Sequence, residues 1–408
     1  MSKIILDKFS LSYKCIGKGR DIVLIHGLAA NSGFWSPNLL MPLARQYRVT
    51  LFDLRGHGKS NMPATGYTSA DMAKDFLSLL DYLNIQDADV IGHSFGGVVA
   101  LHGAILSPKR IRSLVLADTR LRTFEPTLTA RDLCRNEKFS RKLAILGIKL
   151  PENENETGLW LLEQMASPEW RDKRELLRKM QGFPPFAGAN ANGSIRTAER
   201  WLELLRTTTA RQDFTKPAGL SIDKIRRLRQ PILVICGENS TAIRTMTGLR
   251  KHLANCIPHI MEDAGHFFPM THPAKFLGVV QKFLLDVREG ERRGHTRLPL
   301  SLRMDALVGQ LQSFAVTTLD VSESGLLISG GENLNLGMNI DLYVDIDTAE
   351  KIQLLGKVVR LSPVANLHNF FYGIELTRNG KGQKFWEDYL AQMQPFLRRP
   401  VDLQGHGI

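Results

Sequence analysis

Gly92-His93-Ser94-Phe95-Gly96 lies between a strand-like run, ADVIG, and a helical run, GGVVALHGAIL. A serine on a sharp strand-to-helix turn has its hydroxyl pushed outward, and small flanking residues keep the turn free of clashes. The helix that opens there points its free N–H groups and positive dipole end at any oxyanion forming beside Ser94. His26-Gly27 ends an earlier strand in LIHGLAANSGFW, which leaves the backbone N–H of Leu28 as one oxyanion donor beside that of Phe95. This is the equipment of a hydrolase with a serine nucleophile.

Asp53-Leu54-Arg55-Gly56-His57-Gly58-Lys59-Ser60 follows the next strand. With H-G, D-x-R-G-x-G-x-S and G-x-S-x-G in this order, the N-terminal 287 residues resemble the α/β-hydrolase family. That fold also hosts non-hydrolytic members, so the motifs speak more firmly for fold than for chemistry. The resemblance implies a histidine on the loop after the last strand, within G-H. Asp263-Ala264-Gly265-His266-Phe267 supplies it, so His266 is expected to take the proton from Ser94 and return it to the leaving group. His57, His102, His259 and His272 stand in less suitable contexts.

The same resemblance raises a difficulty. The family commonly carries its acid in a G-x-x-D segment before the histidine loop, and Gly237-Glu238-Asn239-Ser240 departs from that pattern at Ser240. A serine cannot stabilise an imidazolium as a carboxylate does. Some members take the acid from the strand after the nucleophile helix, which here is SLVLADTR, ending in Asp118. Strand ends of a doubly wound sheet share one edge, so Asp118 is the expected acid. The alternatives are that Asp118 only caps the turn, that Glu238 reaches the histidine instead, or that the triad has no acid. In the last case the fold serves as a signalling adaptor without catalysis.

A second constellation lies downstream. Arg293-x-x-x-Arg297 is followed after 23 residues by Asp320-Val321-Ser322-Glu323-Ser324-Gly325. With the β-rich pattern around them, YGIEL in the last strand and a closing helix, residues from about 291 to 396 resemble a PilZ domain, the bacterial receptor module for cyclic di-GMP. The resemblance implies that Arg293 and Arg297, from a flexible linker, bind guanine edges and phosphates with their planar guanidiniums. Asp320 would accept from guanine N–H groups, Ser322 would bond phosphate or base, and Gly325 would allow backbone to approach the ligand.

The elements that must position these groups are readable from periodicity. From residue 20 to about 120, wholly apolar strand runs alternate with helical runs, which predicts an α/β fold with a doubly wound, parallel sheet covered on both faces. From about 120 to 217 the pattern is helical only, an insertion where the resemblance implies a cap over the nucleophile. Trp160, Leu161, Trp170, Phe183, Phe186 and Trp201 are candidates to line its pocket or to pack the cap itself. GFPPFAGANANG reads as a hinge or lid loop. Strand and helix alternate again to about residue 287; beyond it come short alternating strands broken by Gly, Asn and Ser, a small all-β barrel with a C-terminal helix. The domains are thus 1–287 and 288–408.

Composition narrows the class. The chain of 408 residues carries a net charge of +12, but from Arg288 onward it has 13 basic and 14 acidic residues, so the excess is spread over the hydrolase-like part. Diffuse basic surface argues against a nucleic acid polymer as partner. No apolar run is long enough for a signal peptide or a membrane span, so a cytoplasmic location is expected. The four cysteines lack metal-type spacing, and no metal site or resident cofactor is implied. Expected ligands are an ester or lipid-like substrate and cyclic di-GMP as regulator.

Overall fold

Strand runs as apolar as ILVICG can lie only where a sheet is covered on both sides. A computed structural model describes residues 1–6, 9–35, 37–170, 172, 186, 191–253, 255–293, 302–309, 313–345, 351–366, 369–377 and 381–397. The chain divides into two units, Met1–Leu284 and Leu285–Ile408.

The first unit is built on β1 (Ser2–Leu6), β2 (Phe9–Ile16), β3 (Arg20–Ile25), β4 (Tyr47–Phe52), β5 (Ala88–His93), β6 (Ile111–Ala117), β7 (Ile232–Gly237) and β8 (Cys256–Met261). They form one sheet in the order β1-β2-β4-β3-β5-β6-β7-β8. Strands β3 to β8 are parallel, and β5 and β7 are buried at every position. Strands β1 and β2 add an antiparallel edge, so the sheet is mixed and begins before residue 20. Their signal is weak because β1 buries only Ile4, and a short half-exposed edge lacks an apolar run.

Crossing helices follow from local rules. Thr68 caps the helix Ser69–Tyr82 in a reciprocal capping box with Asp71. The helix Phe95–Leu106 buries Gly96 and Gly97 against the sheet. Between β6 and β7 the described chain is helical, with Ala130–Cys134, Glu137–Ile145, Thr157–Ala166, Ala191–Thr207 and Ala210–Asp213. Ala191–Gly193 of the expected hinge segment belong to a helix, while residues 182–185 and 187–190 lie outside the described residues.

The second unit is a closed antiparallel barrel in the order β10-β11-β14-β13-β12-β9, made of β9 (Arg303–Leu307), β10 (Phe314–Ser322), β11 (Gly325–Gly330), β12 (Asn339–Val344), β13 (Ile352–Asn366) and β14 (Asn369–Leu376). Alternate residues such as Met304, Val316, Ile328 and Leu342 fill its interior. The helix Lys381–Leu397 buries Trp386, whose indole N–H donates to the Ser322 carbonyl at 3.1 Å.

One expectation fails between the units. The helix that starts at Pro273 runs unbroken to Arg293, so Arg293 is the last residue of a helix and not part of a flexible linker. Its final stretch, VREGERR, is dominated by strong helix formers, and Gly294 follows where the described helix ends. Among the described residues no helix is long and apolar enough to cross a membrane.

Candidate active site

The sheet register brings the candidate groups to one edge. His93 of β5 pairs with Ala117 of β6, so the next residues, Ser94 and Asp118, leave the sheet side by side. Two amides secure both exits: Ser94 N donates to the Ala117 carbonyl at 2.9 Å and Asp118 N to the Ile235 carbonyl at 2.7 Å. Ser94 has φ 54° and ψ −122°, a left-handed conformation that a serine adopts only when its surroundings impose it. Gly96 is what permits the close packing, since a Cβ there would lie 2.3 Å from the Ile25 carbonyl oxygen. Asp118 is also left-handed, at φ 49°, and 1% exposed.

Asp118 meets His266 directly, with its Oδ2 2.6 Å from the imidazole Nδ1. A carboxylate at that distance makes Nδ1 the protonated nitrogen and leaves the lone pair on Nε2. Two more donors hold the carboxylate: Gly237 N reaches Oδ1 at 2.9 Å, and Ser240 Oγ reaches Oδ2 at 2.5 Å. Ser240, at the position where the family commonly carries its acid, therefore donates to the Asp118 carboxylate that contacts His266. Glu238 goes elsewhere; it is exposed, and its Oε2 accepts from the Asp263 amide at 2.9 Å.

The donors expected to face an oxyanion border the same space. Phe95 is the first residue of its helix, so its amide has no intrahelical acceptor. The amide of Leu28 has no hydrogen-bond partner among the described residues. The loop before Leu28 is held by His26, which is fully buried, accepts from Leu54 N at Nε2 (3.1 Å) and so donates from Nδ1 to the Gly27 carbonyl (2.7 Å). Burial keeps the pKa of His26 below its ordinary value, so the ring stays neutral. The D-x-R-G-x-G-x-S segment serves as a buttress. Asp53 accepts from Ser32 N (2.7 Å) and Lys59 N (2.8 Å), and Arg55 forks onto Asp75 at 2.6 and 2.5 Å.

His93 escaped the sequence reading. Its ring stacks on Phe34 (4.4 Å) and lies 4.8 Å from the His266 ring, while its Nε2 donates to the His266 carbonyl at 2.9 Å. It thus fixes the histidine loop, and burial followed by the nearby His266 holds its pKa well below the usual histidine range. Asn136, the cap of the helix Glu137–Ile145, donates to the Asn239 carbonyl at 2.7 Å and ties the cap to the acid loop. Neither residue has a motif that would mark it.

Leu28, Ser94, Phe95, Asp118 and His266 line one cavity of about 580 Å³, closed from the cap side by Leu128, Phe139 and Leu161 among others. Of the cap residues that could line it or pack the cap, Leu161 lines it, whereas Phe186 and Trp201 pack in the core, Trp201 stacked on Phe214 at 5.7 Å. Trp160 and Trp170 pack edge-on at 6.2 Å, and Phe183 lies outside the described residues.

In the barrel, Ser322 and Gly325 face each other across the β10–β11 turn, and the buried Ser322 Oγ donates to the Gly325 carbonyl at 2.9 Å. Ser322 thus helps to close the turn, with its hydroxyl oxygen still able to accept a hydrogen bond. A Cβ at Gly325 would meet the Ile374 carbonyl oxygen at 2.6 Å, which explains the glycine. Asp320 lies on the same hairpin, half-buried and opposite Leu327. Arg297 lies outside the described residues.

Comparison with known proteins agrees with this architecture. A family model for the alpha/beta hydrolase fold matches residues 22–273, and one for the PilZ domain matches residues 291–390. The chain is 27% identical over 281 residues to a 2-hydroxymuconate semialdehyde hydrolase of Pseudomonas sp., covering 66% of this chain and 88% of that one. It is 22% identical over 291 residues to a pimeloyl acyl-carrier-protein methyl ester esterase of Nitrosospira multiformis, covering 68% and 99%. A solved membrane phospholipase A, described as a bacterial virulence factor, shares the fold with TM-score 0.54 at 21% identity, over 70% of this chain and 86% of that one. The chain belongs to the α/β-hydrolase fold family and carries a PilZ domain on its C-terminal side.

Proposed function

We propose that this protein is a serine hydrolase of carboxylic esters whose activity answers to cyclic di-GMP. The observation that carries the first half is the 2.6 Å contact between Asp118 and His266 in a cavity that Ser94 also lines. In this reading His266 Nε2 removes the proton as Ser94 Oγ attacks the ester carbonyl, and the imidazolium is stabilised by Asp118. The amides of Leu28 and Phe95 bind the oxyanion. Collapse expels the alcohol with the proton from His266, and water repeats the sequence on the acyl-enzyme.

The leucines and Phe139 on the cap side of the cavity, set among charged residues, support an ester substrate with an apolar portion, and one relative's name is that of a methyl ester esterase. The adaptor reading rests on Ser240; the hydrogen bond from that residue to Asp118 supports the catalytic reading instead.

The PilZ match supports cyclic di-GMP as the ligand of the second unit, and we place its contacts at Arg293, Arg297 and Asp320, with Ser322 and Gly325 shaping the turn. A single helix carries Pro273, seven residues after His266, at one end and Arg293 at the other. A ligand that captures Arg293 can bias the histidine loop through it, provided the ligand binds two arrangements of that helix with different affinity. The test is a panel of esters of increasing acyl length, assayed with and without saturating cyclic di-GMP in the cytoplasmic pH range. Turnover that is absent throughout would defeat the esterase reading, and turnover that ignores the dinucleotide would defeat the regulatory one.

A further inference from the structure

Two guanidiniums and one shared carboxylate cluster at one place in the cavity around Ser94. Arg120 and Arg122, two and four residues after Asp118, both line it, as does Glu156, which begins the helix Thr157–Ala166. Arg120 donates from Nη1 to Glu156 Oε2 at 3.0 Å and from Nη2 to the Glu125 carbonyl at 2.7 Å. Arg122 donates from Nη1 to Glu156 Oε1 and to the Pro126 carbonyl, the latter at 3.0 Å. One carboxylate thus serves two guanidiniums, each with a side chain only 18% exposed. The buried Glu125 carboxyl accepts from the amide and hydroxyl of Thr245 and gives neither guanidinium a hydrogen-bond acceptor, although it lies near enough to Arg120 to feel its charge. Arg120 Nε is buried with no acceptor among the described residues. Elsewhere in the cavity Lys138 pairs with Asp263 (3.4 Å) and Lys216 with Asp213 (2.7 Å), and Lys142 also lines it.

Two partly buried guanidiniums that share one hydrogen-bonding carboxylate keep donor capacity for a second anion. Guanidinium pairs suit a carboxylate, which they bind in a planar, bidentate manner. We propose that Arg120 and Arg122 form a subsite for a carboxylate on the substrate, so that the preferred ester is a half-ester of a dicarboxylic acid. The proposal rests on the esterase reading for the word ester. With Cα atoms about 3.8 Å apart along the chain, the two arginines start at most about 8 and about 15 Å from Asp118. The free acid therefore sits a short chain away from the scissile carbonyl.

The experiment compares monomethyl adipate with methyl hexanoate by methanol release, and adipate with hexanoate by calorimetry, which needs no turnover. The half-ester should be preferred about tenfold or more in kcat/KM, and adipate should bind correspondingly tighter. Arg122→Gln should lower that ratio about tenfold, whereas Glu156→Gln, which frees both guanidiniums, should raise it. A purely structural staple predicts that both substitutions lower turnover of the two esters together and leave the ratio alone. Equal binding of adipate and hexanoate, or ratios that move the same way in both variants, would overturn the subsite. Tight adipate binding without turnover of either ester would uphold the subsite and count against the esterase reading instead.

Discussion

Ser240 donates its hydroxyl to Asp118 Oδ2 at 2.5 Å, and the same oxygen lies 2.6 Å from His266 Nδ1. The residue that departs from the family pattern thus hydrogen-bonds the carboxylate at the end of β6 that faces the imidazole.

Asp118→Asn should reduce kcat by about 10⁴, the loss seen when a serine-protease triad loses its acid and the histidine its tautomer. Glu238→Gln should change kcat less than threefold or so, because Glu238 faces the Asp263 amide. Steady-state kinetics on the two variants decides; a large loss confined to Glu238→Gln would reverse the assignment.

Ser240→Ala removes one hydrogen bond to a buried charge, for which a loss of about tenfold in kcat is expected. The double variant Asp118→Asn with Ser240→Asp returns a carboxylate to the other strand end and should regain at least about tenfold over Asp118→Asn alone. No recovery in a folded double variant would mean that only the β6 position can orient His266.

Acid should weaken the fold through its buried histidines. His57, 3% exposed, has its pKa pushed down to about 3, first by burial and then by neighbouring His26. Unfolded, it titrates near 6.5, so below that pH the unfolded chain holds a proton that the folded one lacks. Stability is therefore full above pH 6.5 and falls toward pH 3, by about 1.4 kcal/mol per pH unit from this group. Denaturation between pH 7 and pH 5 should show a shallower decline in His57→Gln; an unchanged slope would contradict the neutral, buried state.

Asp320→Ala should weaken cyclic di-GMP binding about tenfold or more in calorimetry. If the dinucleotide alters substrate-site affinity, an occupied substrate site must alter dinucleotide affinity by the same factor. Calorimetry with adipate present and absent checks this; equal affinities would show that the two sites are uncoupled at equilibrium.

Much of this was legible before any coordinates. Ser94 announces itself because an elbow needs glycines on both sides, and β5 and β7 because full burial requires uninterrupted apolar runs. Asp118 could be narrowed to a choice, since strand order tells which ends share an edge but not which side chain turns toward the imidazole. Ser240 was read as a defect because a hydroxyl's partner is fixed by three-dimensional proximity, 122 residues away in sequence. His93, Asn136 and the Arg120–Glu156 pairing were invisible for the same reason. The helical continuation to Arg293 was missed because a glycine and dense charge read as a linker, while Glu and Arg are also strong helix formers.

The most direct test of the central claim is labelling with a fluorophosphonate followed by intact-mass and peptide analysis. The account predicts one adduct, on Ser94, formed rapidly by the native chain and at least about a thousandfold more slowly by Asp118→Asn and His266→Ala. An unmodified Ser94 in a folded protein, or labelling whose rate ignores Asp118, would contradict it.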